Sequence, residues 1–204
     1  MPFIMERELK LGLTHPDDLH RLLNALPEPR AIIEQSNHYF IDMAGRLAES
    51  RTMVRVRVST QRPAQGGTLI VLTRKRRLEA RSGYFVAEEV ECPIGLDDWA
   101  KIQAGELDLL DLGSEPLMDL ALSPPLICHG VMHNRRHVIE SGGYTLEVDR
   151  TSFPGDKVEV EVEVETEDPE GARAHLHAIA QGAEVSLFNQ TRGKYARFIA
   201  SLGA

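Results

Sequence analysis

The chain has 204 residues, 42% apolar and 26% charged, an ordinary balance for a folded globular protein that excludes a disordered one. Its formal charge of −8 argues against a broad nucleic-acid or anionic-membrane surface, and no stretch approaches the ~20 apolar residues of a membrane-spanning helix. Cys92 and Cys128 lie far apart with no CxxC spacing; they suggest neither a zinc ribbon nor a disulfide framework and read as reduced, buried, small apolar residues.

In chain order, Glu6-Arg7-Glu8-Leu9-Lys10 opens a strand that puts Glu6, Glu8 and Lys10 on one face, since alternate strand side chains share a face. The N-terminus has no apolar h-region, so a cytoplasmic protein is expected. Thr14 to Asp18 starts a helix that repeats Leu19, Leu22, Leu23 and Leu26 until Pro27 and Pro29 stop it. Ala31 to Asp42 reads as a strand or strand pair, and Met53 to Ser59 as a strand with Arg55 and Arg57 on one face. Pro63, Gly66 and Gly67 place a hairpin loop over Gln61 to Gly67, before strands at Thr68 to Lys75 and Tyr84 to Pro93. Leu96 to about Leu122 reads as helical and acidic, with Trp99 packing on the sheet. Gly142-Gly143 predicts a hairpin between Val138 to Ser141 and Tyr144 to Val148. Pro154-Gly155-Asp156 turns the chain into a strand over Val158 to Thr166; helices follow from Pro169 to about Gln181 and from about Thr191 to Leu202. With no internal repeat or linker, one domain over 1–204 is expected.

One row of charges on a strand is usually its wet face. Here the pattern recurs in Arg55 and Arg57, Glu89 and Glu91, Glu147 and Asp149, and Glu159, Glu161, Glu163 and Glu165. A closed barrel with a charged lumen needs such a sequence, and the natural contents of a lumen of both signs are a polyanion and a divalent cation. The four late glutamates repel one another unless a cation, a lumenal Arg or Lys, or water at the outer end neutralises them. Arg74 to Arg77 and Arg135-Arg136 show that positive charge is clustered despite the acidic total. His133 and His137 precede a strand rather than sharing a helix, and His175 and His177 diverge on a surface helix. The absence of GxxxxGK[ST], GxGxxG and GxSxG motifs removes the common nucleotide-fold and serine-hydrolase readings.

Together these rows resemble the CYTH, or triphosphate tunnel metalloenzyme, superfamily. Its N-terminal ExExK is matched by Glu6, Glu8 and Lys10, and its YFDT-like strand is similar to Tyr39-Phe40-Ile41-Asp42, with the acid displaced by one. Its paired arginines fall on Arg55 and Arg57, its T-x-K on Thr73-Arg74-Lys75, and its E-x-E on Glu89 and Glu91. A later arginine falls on Arg136, the L-x-V-D strand on Leu146 to Asp149, the E-I-E strand within Glu159 to Glu163, and the S-K-Y/F element on Gly193-Lys194-Tyr195.

The resemblance implies a mainly β (α+β) fold, a closed eight-stranded antiparallel barrel with peripheral helices. It also implies Mg2+- or Mn2+-dependent hydrolysis of a small-molecule triphosphate, most naturally inorganic tripolyphosphate. Thiamine triphosphatase and class IV adenylate cyclase are alternatives within the fold, and a non-catalytic polyphosphate or nucleotide binder is one of another class. Lys10, Arg55, Arg57, Lys75, Arg136 and Lys194 would bind phosphate oxygens, with Arg77 added by alternation. Glu6, Glu8, Asp149, Glu159, Glu161 and Glu163 would ligate metal, with Glu6, Glu8, Glu161 and Glu163 catalytic and Glu89, Glu91 and Glu147 lining the tunnel. No nucleic-acid or membrane partner is expected, and the protein would be a monomer or homodimer.

Overall fold

A computed structural model describes residues 4–62 and 67–203. Nine strands are found among them: β1 (Ile4–Leu13), β2 (Ala31–Asp42), β3 (Thr52–Arg62), β4 (Leu69–Arg81), β5 (Tyr84–Pro93), β6 (Leu126–Ser141), β7 (Tyr144–Ser152), β8 (Val158–Glu165) and β9 (Leu187–Asn189). They form one sheet in the order β5-β4-β3-β2-β6-β7-β8-β1-β9, and a further β1–β5 pairing closes the first eight into a ring. Every pairing is antiparallel. This is the expected eight-stranded barrel with one short strand added.

The alternation of β8 sorts its side chains between two environments. Val160, Val162 and Val164 face outward into a layer with Leu9, Leu11, Leu146 and Val148, all buried. That layer is roofed by α1 (Leu19–Asn24) and α5 (Pro169–Gly182), which contribute Leu22, Ala172 and Leu176. Asp168 caps α5 by accepting from the Gly171 amide, and Pro169 stands at its first position, where a missing N–H costs nothing. A second outer layer covers β2, β3 and β4, where Val54, Val56 and Leu72 meet Trp99 of α3 (Leu96–Ala104) and Leu117 of α4 (Glu115–Met118). The barrel is therefore apolar outside, beneath its helices, and polar inside.

Several elements differ from the sequence-based expectation. The helix expected over Leu96 to Leu122 is broken at Gly105 and Gly113, both in the left-handed region, into α3, a 3-10 turn (Leu109–Leu112) and α4. β6 starts twelve residues before Val138, because Asn134 and Arg136 face in while His133 and Arg135 face out and no polar–apolar alternation marks them. Ala31 to Asp42 is one strand with a bulge, and a short α2 (Arg46–Glu49) follows it. β4 extends to Arg81, and β3 takes in Gln61; Pro63 and Gly66 of the expected hairpin loop lie outside the described residues. Gly142 and Gly143 both have positive φ, as a tight two-residue hairpin turn demands. The last helix, α6 (Lys194–Leu202), begins three residues later than expected. Both cysteines are free, but Cys92 is half-buried and Cys128 is exposed; strand position, rather than residue type, decides their burial.

Candidate functional site

The cross-strand register carries the charged rows to the inside of the ring. Glu161 of β8 stands opposite Asp149 of β7, which stands opposite Arg136 of β6. One row along, Lys10 of β1 faces Glu163, which faces Glu147. On the far wall Tyr39, Arg55, Thr73 and Glu91 form one row, and Met53, Lys75 and Glu89 the next. Glu159, Glu161 and Glu163 share the inner face, so either choice of register in the glutamate strand leads to the same wall.

Inside, cations and carboxylates neutralise one another. Lys10 pairs with Glu163 and, at 2.9 Å, with Glu8. Lys75 pairs with Glu6 and reaches Glu8 at 3.2 Å and Glu89 at 3.4 Å. Arg136 donates to Asp149 at 2.8 and 2.6 Å and to Glu163 at 2.7 Å, and also pairs with Glu147. Lys194, at the start of α6, reaches Asp149 at 2.5 Å, Glu161 at 2.9 Å and Glu163 at 3.0 Å. Arg55 donates to Thr73, which donates to Glu91, and the Arg55–Glu91 ion pair spans 3.8 Å. Charge-assisted contacts of this kind hold buried ions that would otherwise be costly.

The expected metal ligands fall into three groups. Asp149, Glu161 and Glu163 are buried, with ligand atoms within 4.8 Å of one another. Glu6 and Glu8 gather on Lys75, across Lys10 from that cluster, and Glu159 turns to Lys157 and Arg197. Burial alone would raise the Asp149 and Glu163 carboxyls; the neighbouring Arg136, Lys194 and, for Glu163, Lys10 outweigh it and push both below the usual carboxylate range. Burial raises Glu147, which lies nearer the opening. A buried, all-oxygen set suits a hard divalent cation such as Mg2+ or Mn2+, so these residues fit the metal that the sequence resemblance implies.

Arg57 differs from the other expected cations. Its Nε donates to Asn37 Oδ1 at 2.9 Å, and no described carboxylate comes within ion-pairing distance. Burial, then the neighbouring guanidiniums of Arg55 and Arg136, push it down to about 10. Arg57 and Arg136 line a cavity of about 540 Å³ at one end of the barrel, beside Gln35, Gln61, Glu91 and Glu147. The buried Nε of Arg55 has no hydrogen-bond partner.

Two expected residues stand apart. Arg77 faces the inner side by register but is exposed at the rim, opposite Ala87, because β4 outruns the enclosed part of the barrel. Asp42 accepts from the Arg46 and Leu47 amides and so caps α2, which accounts for its displacement from the YFDT pattern. The sequence reading missed Arg197. Its Nη2 donates to both oxygens of Glu161, at 2.8 and 2.6 Å, and its Nη1 donates to Glu159. Lys194, Arg197, Phe198 and Ser201 share one helical face, so an arginine beside a buried Phe198 was a readable sign of an internal counter-ion. α6 docks through Phe198, whose ring packs 4.7 Å from that of Tyr39 and lies over Gly130 at the β2–β6 bulge. Gly130 has φ +153°, and a Cβ there would stand 2.9 Å from the Phe198 ring, so the position requires glycine.

Comparison with known proteins agrees with this geometry. The Hippeastrum protein HpAC1, assigned as an adenylyl cyclase and described with a dominant triphosphatase activity, superposes with a TM-score of 0.79 at 24% identity, covering 96% of this chain and 95% of its own. A Bacillus halodurans protein assigned as an adenylate cyclase gives 0.65 at 19% identity over 95% and 98% of the two chains. The PH1819 protein of Pyrococcus horikoshii gives 0.61 at 15% identity over the same shares. At these identities the likeness shows the fold alone, and no curated protein matches the sequence. The sequence model of the CYTH domain, however, matches residues 5–195, nearly the whole barrel and the start of α6; the chain belongs to the CYTH domain family.

Proposed function

We propose that the protein is a metal-dependent triphosphatase that hydrolyses inorganic tripolyphosphate to pyrophosphate and phosphate inside the barrel. Family membership supports a hydrolase role in general terms. The observation that carries the reading is Arg57, a half-buried guanidinium with no described carboxylate in ion-pairing range, in a lumen where the other cations have one. Arg55, Arg57 and Arg136 receive the phosphate chain at the open end, and Lys10, Lys75 and Lys194 hold it further in.

Charge counting explains why a divalent cation belongs in the same space. The described lumen holds nine carboxylates (Glu6, Glu8, Glu89, Glu91, Glu147, Asp149, Glu159, Glu161, Glu163) against seven cations (Lys10, Arg55, Arg57, Lys75, Arg136, Lys194, Arg197). Arg77 and Glu165 at the rim add one of each sign. A net acidic lumen repels a polyanion, and Mg2+ or Mn2+ bound by Asp149, Glu161 and Glu163, with Glu6, Glu8 and Glu159 in support, would cancel that excess of two negative charges. When bound, the metal supplies Lewis-acid polarisation of a phosphoryl oxygen and charge neutralisation. The carboxylates of Glu6, Glu8, Glu161 and Glu163 orient the attacking water and take its proton as the bridging P–O bond breaks. The arginines and lysines stabilise the pyrophosphate that leaves, since positioning and electrostatics dominate phosphoryl transfer.

No aromatic ring is among the described residues lining the open end, so an adenine or thiamine group would find no stacking surface there. That favours a bare phosphate chain. A cytoplasmic location belongs to the same proposal, supported by two free cysteines. The test is phosphate release from tripolyphosphate, ATP and thiamine triphosphate with Mg2+ or Mn2+, in wild type and Glu8→Gln. Metal-dependent cleavage of tripolyphosphate that Glu8→Gln loses is expected. No release from any of the three, with tripolyphosphate still raising the melting temperature, would leave a cyclase or a binding protein.

A further inference from the structure

α6 supplies two cations to carboxylates on which the proposed metal site depends. Lys194 touches Asp149, Glu161 and Glu163, the whole close cluster. Arg197 goes further: its Nη2 engages both oxygens of Glu161, a side chain only 1% exposed, while Nη1 takes Glu159. Its guanidinium also lies 5.6 Å over the Phe153 ring, and its Nε is buried without a partner. Lys194 falls within the sequence element shared with the family, whereas Arg197 lies outside every motif in the resemblance.

We propose that Arg197 is an internal competitor for the metal: it neutralises Glu161 and Glu159 when no divalent cation is bound and must withdraw when one is bound there. The inference rests on the metal-dependent reading above. A divalent cation on a Glu161 oxygen would stand within a few ångströms of a guanidinium already hydrogen-bonded to that oxygen, and like charges repel strongly where water is excluded. Lys194 touches only one Glu161 oxygen, at 2.9 Å, whereas Arg197 engages both, so a divalent cation on Glu161 displaces Arg197. Because Arg197 sits in the middle turn of α6, its withdrawal loosens the helix that Phe198 otherwise docks against Tyr39. Arg197 thus sets both the metal affinity and the order of events, with metal loading coupled to release of α6. It is a positioning residue: it acts through Glu161 and Glu159.

The test is Mn2+ titration by calorimetry on the phosphate-free full chain, as wild type, Arg197→Gln and Arg197→Lys. With its competitor gone, Arg197→Gln is expected to bind Mn2+ about tenfold or more tightly, the order of one charge-assisted contact. Its metal-free melting temperature should fall, and Mn2+ should raise it by more than in wild type. Arg197→Lys, which keeps the charge, should stay close to wild type in affinity. A purely structural Arg197 gives a lower melting temperature with Mn2+ affinity unchanged or weakened, and that result overturns the proposal. Should Arg197→Gln fail to fold, hydrogen exchange on wild type decides: amides of 194–202 should exchange faster with Mn2+, and unchanged or slower exchange overturns the idea. Mn2+ binding to none of the three proteins overturns it as well. Absence of tripolyphosphate cleavage with the Mn2+ competition intact would sink the hydrolase reading alone.

Discussion

The two faces of β8 present opposite physical problems on one segment of chain. Outward, Val160, Val162 and Val164 are at most 2% exposed in a close-packed apolar layer, and each buried methyl group stabilises the fold without needing a particular partner. Inward, Glu161 and Glu163 are almost equally buried, yet they contribute only because named cations stand within hydrogen-bonding distance. The outer face makes the barrel stable, and the inner face uses that stability to hold charge. A substitution therefore shows which face it struck: outer changes should alter stability and spare chemistry, and inner ones should alter chemistry first.

The largest break in that comparison is Glu163→Ala. It strips the shared partner from Lys10, Arg136 and Lys194. Phosphate release should fall on the order of 100-fold or more, and chemical denaturation should show about 3–5 kcal/mol of lost stability from uncompensated buried charge. Retention of most of the wild-type rate would place the chemistry elsewhere. Leu176→Ala, on the outer layer, should cost about 2–5 kcal/mol in denaturant midpoints while the rate per folded molecule holds. A selective rate loss there would show that the two faces are coupled.

Arg57→Ala should sharpen the contrast, since Arg57 has no described ion pair to lose. Its stability should change little, and the KM for tripolyphosphate should rise about 10- to 100-fold, the range of one charged contact. Acid should separate the faces further. The Asp149 and Glu163 carboxyls are lower when folded than unfolded, so their stabilisation is present above about pH 4, the unfolded range, and is lost as the pH falls through the lower folded values. Melting temperature should then drop more steeply in acid for wild type than for Asp149→Asn, and parallel curves would contradict it. The smallest effect belongs to Arg76→Ala, whose ion pair with Glu88 lies on the outer surface; less than about 1 kcal/mol should be lost, and that vanishes in salt.

Much of this was legible because a lumen imposes a period of two on the sequence. The rows at Glu6 to Lys10, Arg55 and Arg57, and Glu159 to Glu165 carry alternation strong enough to show both strand and inner face. β6 was legible only in its last residues, since Asn134, Arg136 and their outward neighbours are polar alike and the period disappears. Asp42 stands one residue past the family's acidic position and caps a helix, because a one-residue displacement moves a strand side chain to the other face. Arg197 left no trace in any strand pattern; its partners Glu159 and Glu161 lie 38 and 36 residues earlier, a distance only the closed fold spans.

The way β1 is shared has a consequence for the fate of the molecule among its neighbours. Residues 4–9 of β1 pair with β5, and residues 11–13, beyond the end of β5, pair with the three-residue β9. The strand where the ring closes is thus covered along nearly all of one side by two successive partners. Strands of up to 16 residues would, in an open sheet, offer long rows of unsatisfied amides to any passing chain. Here they offer none along that seam, where three residues of β9 guard the closing strand against edge-to-edge aggregation.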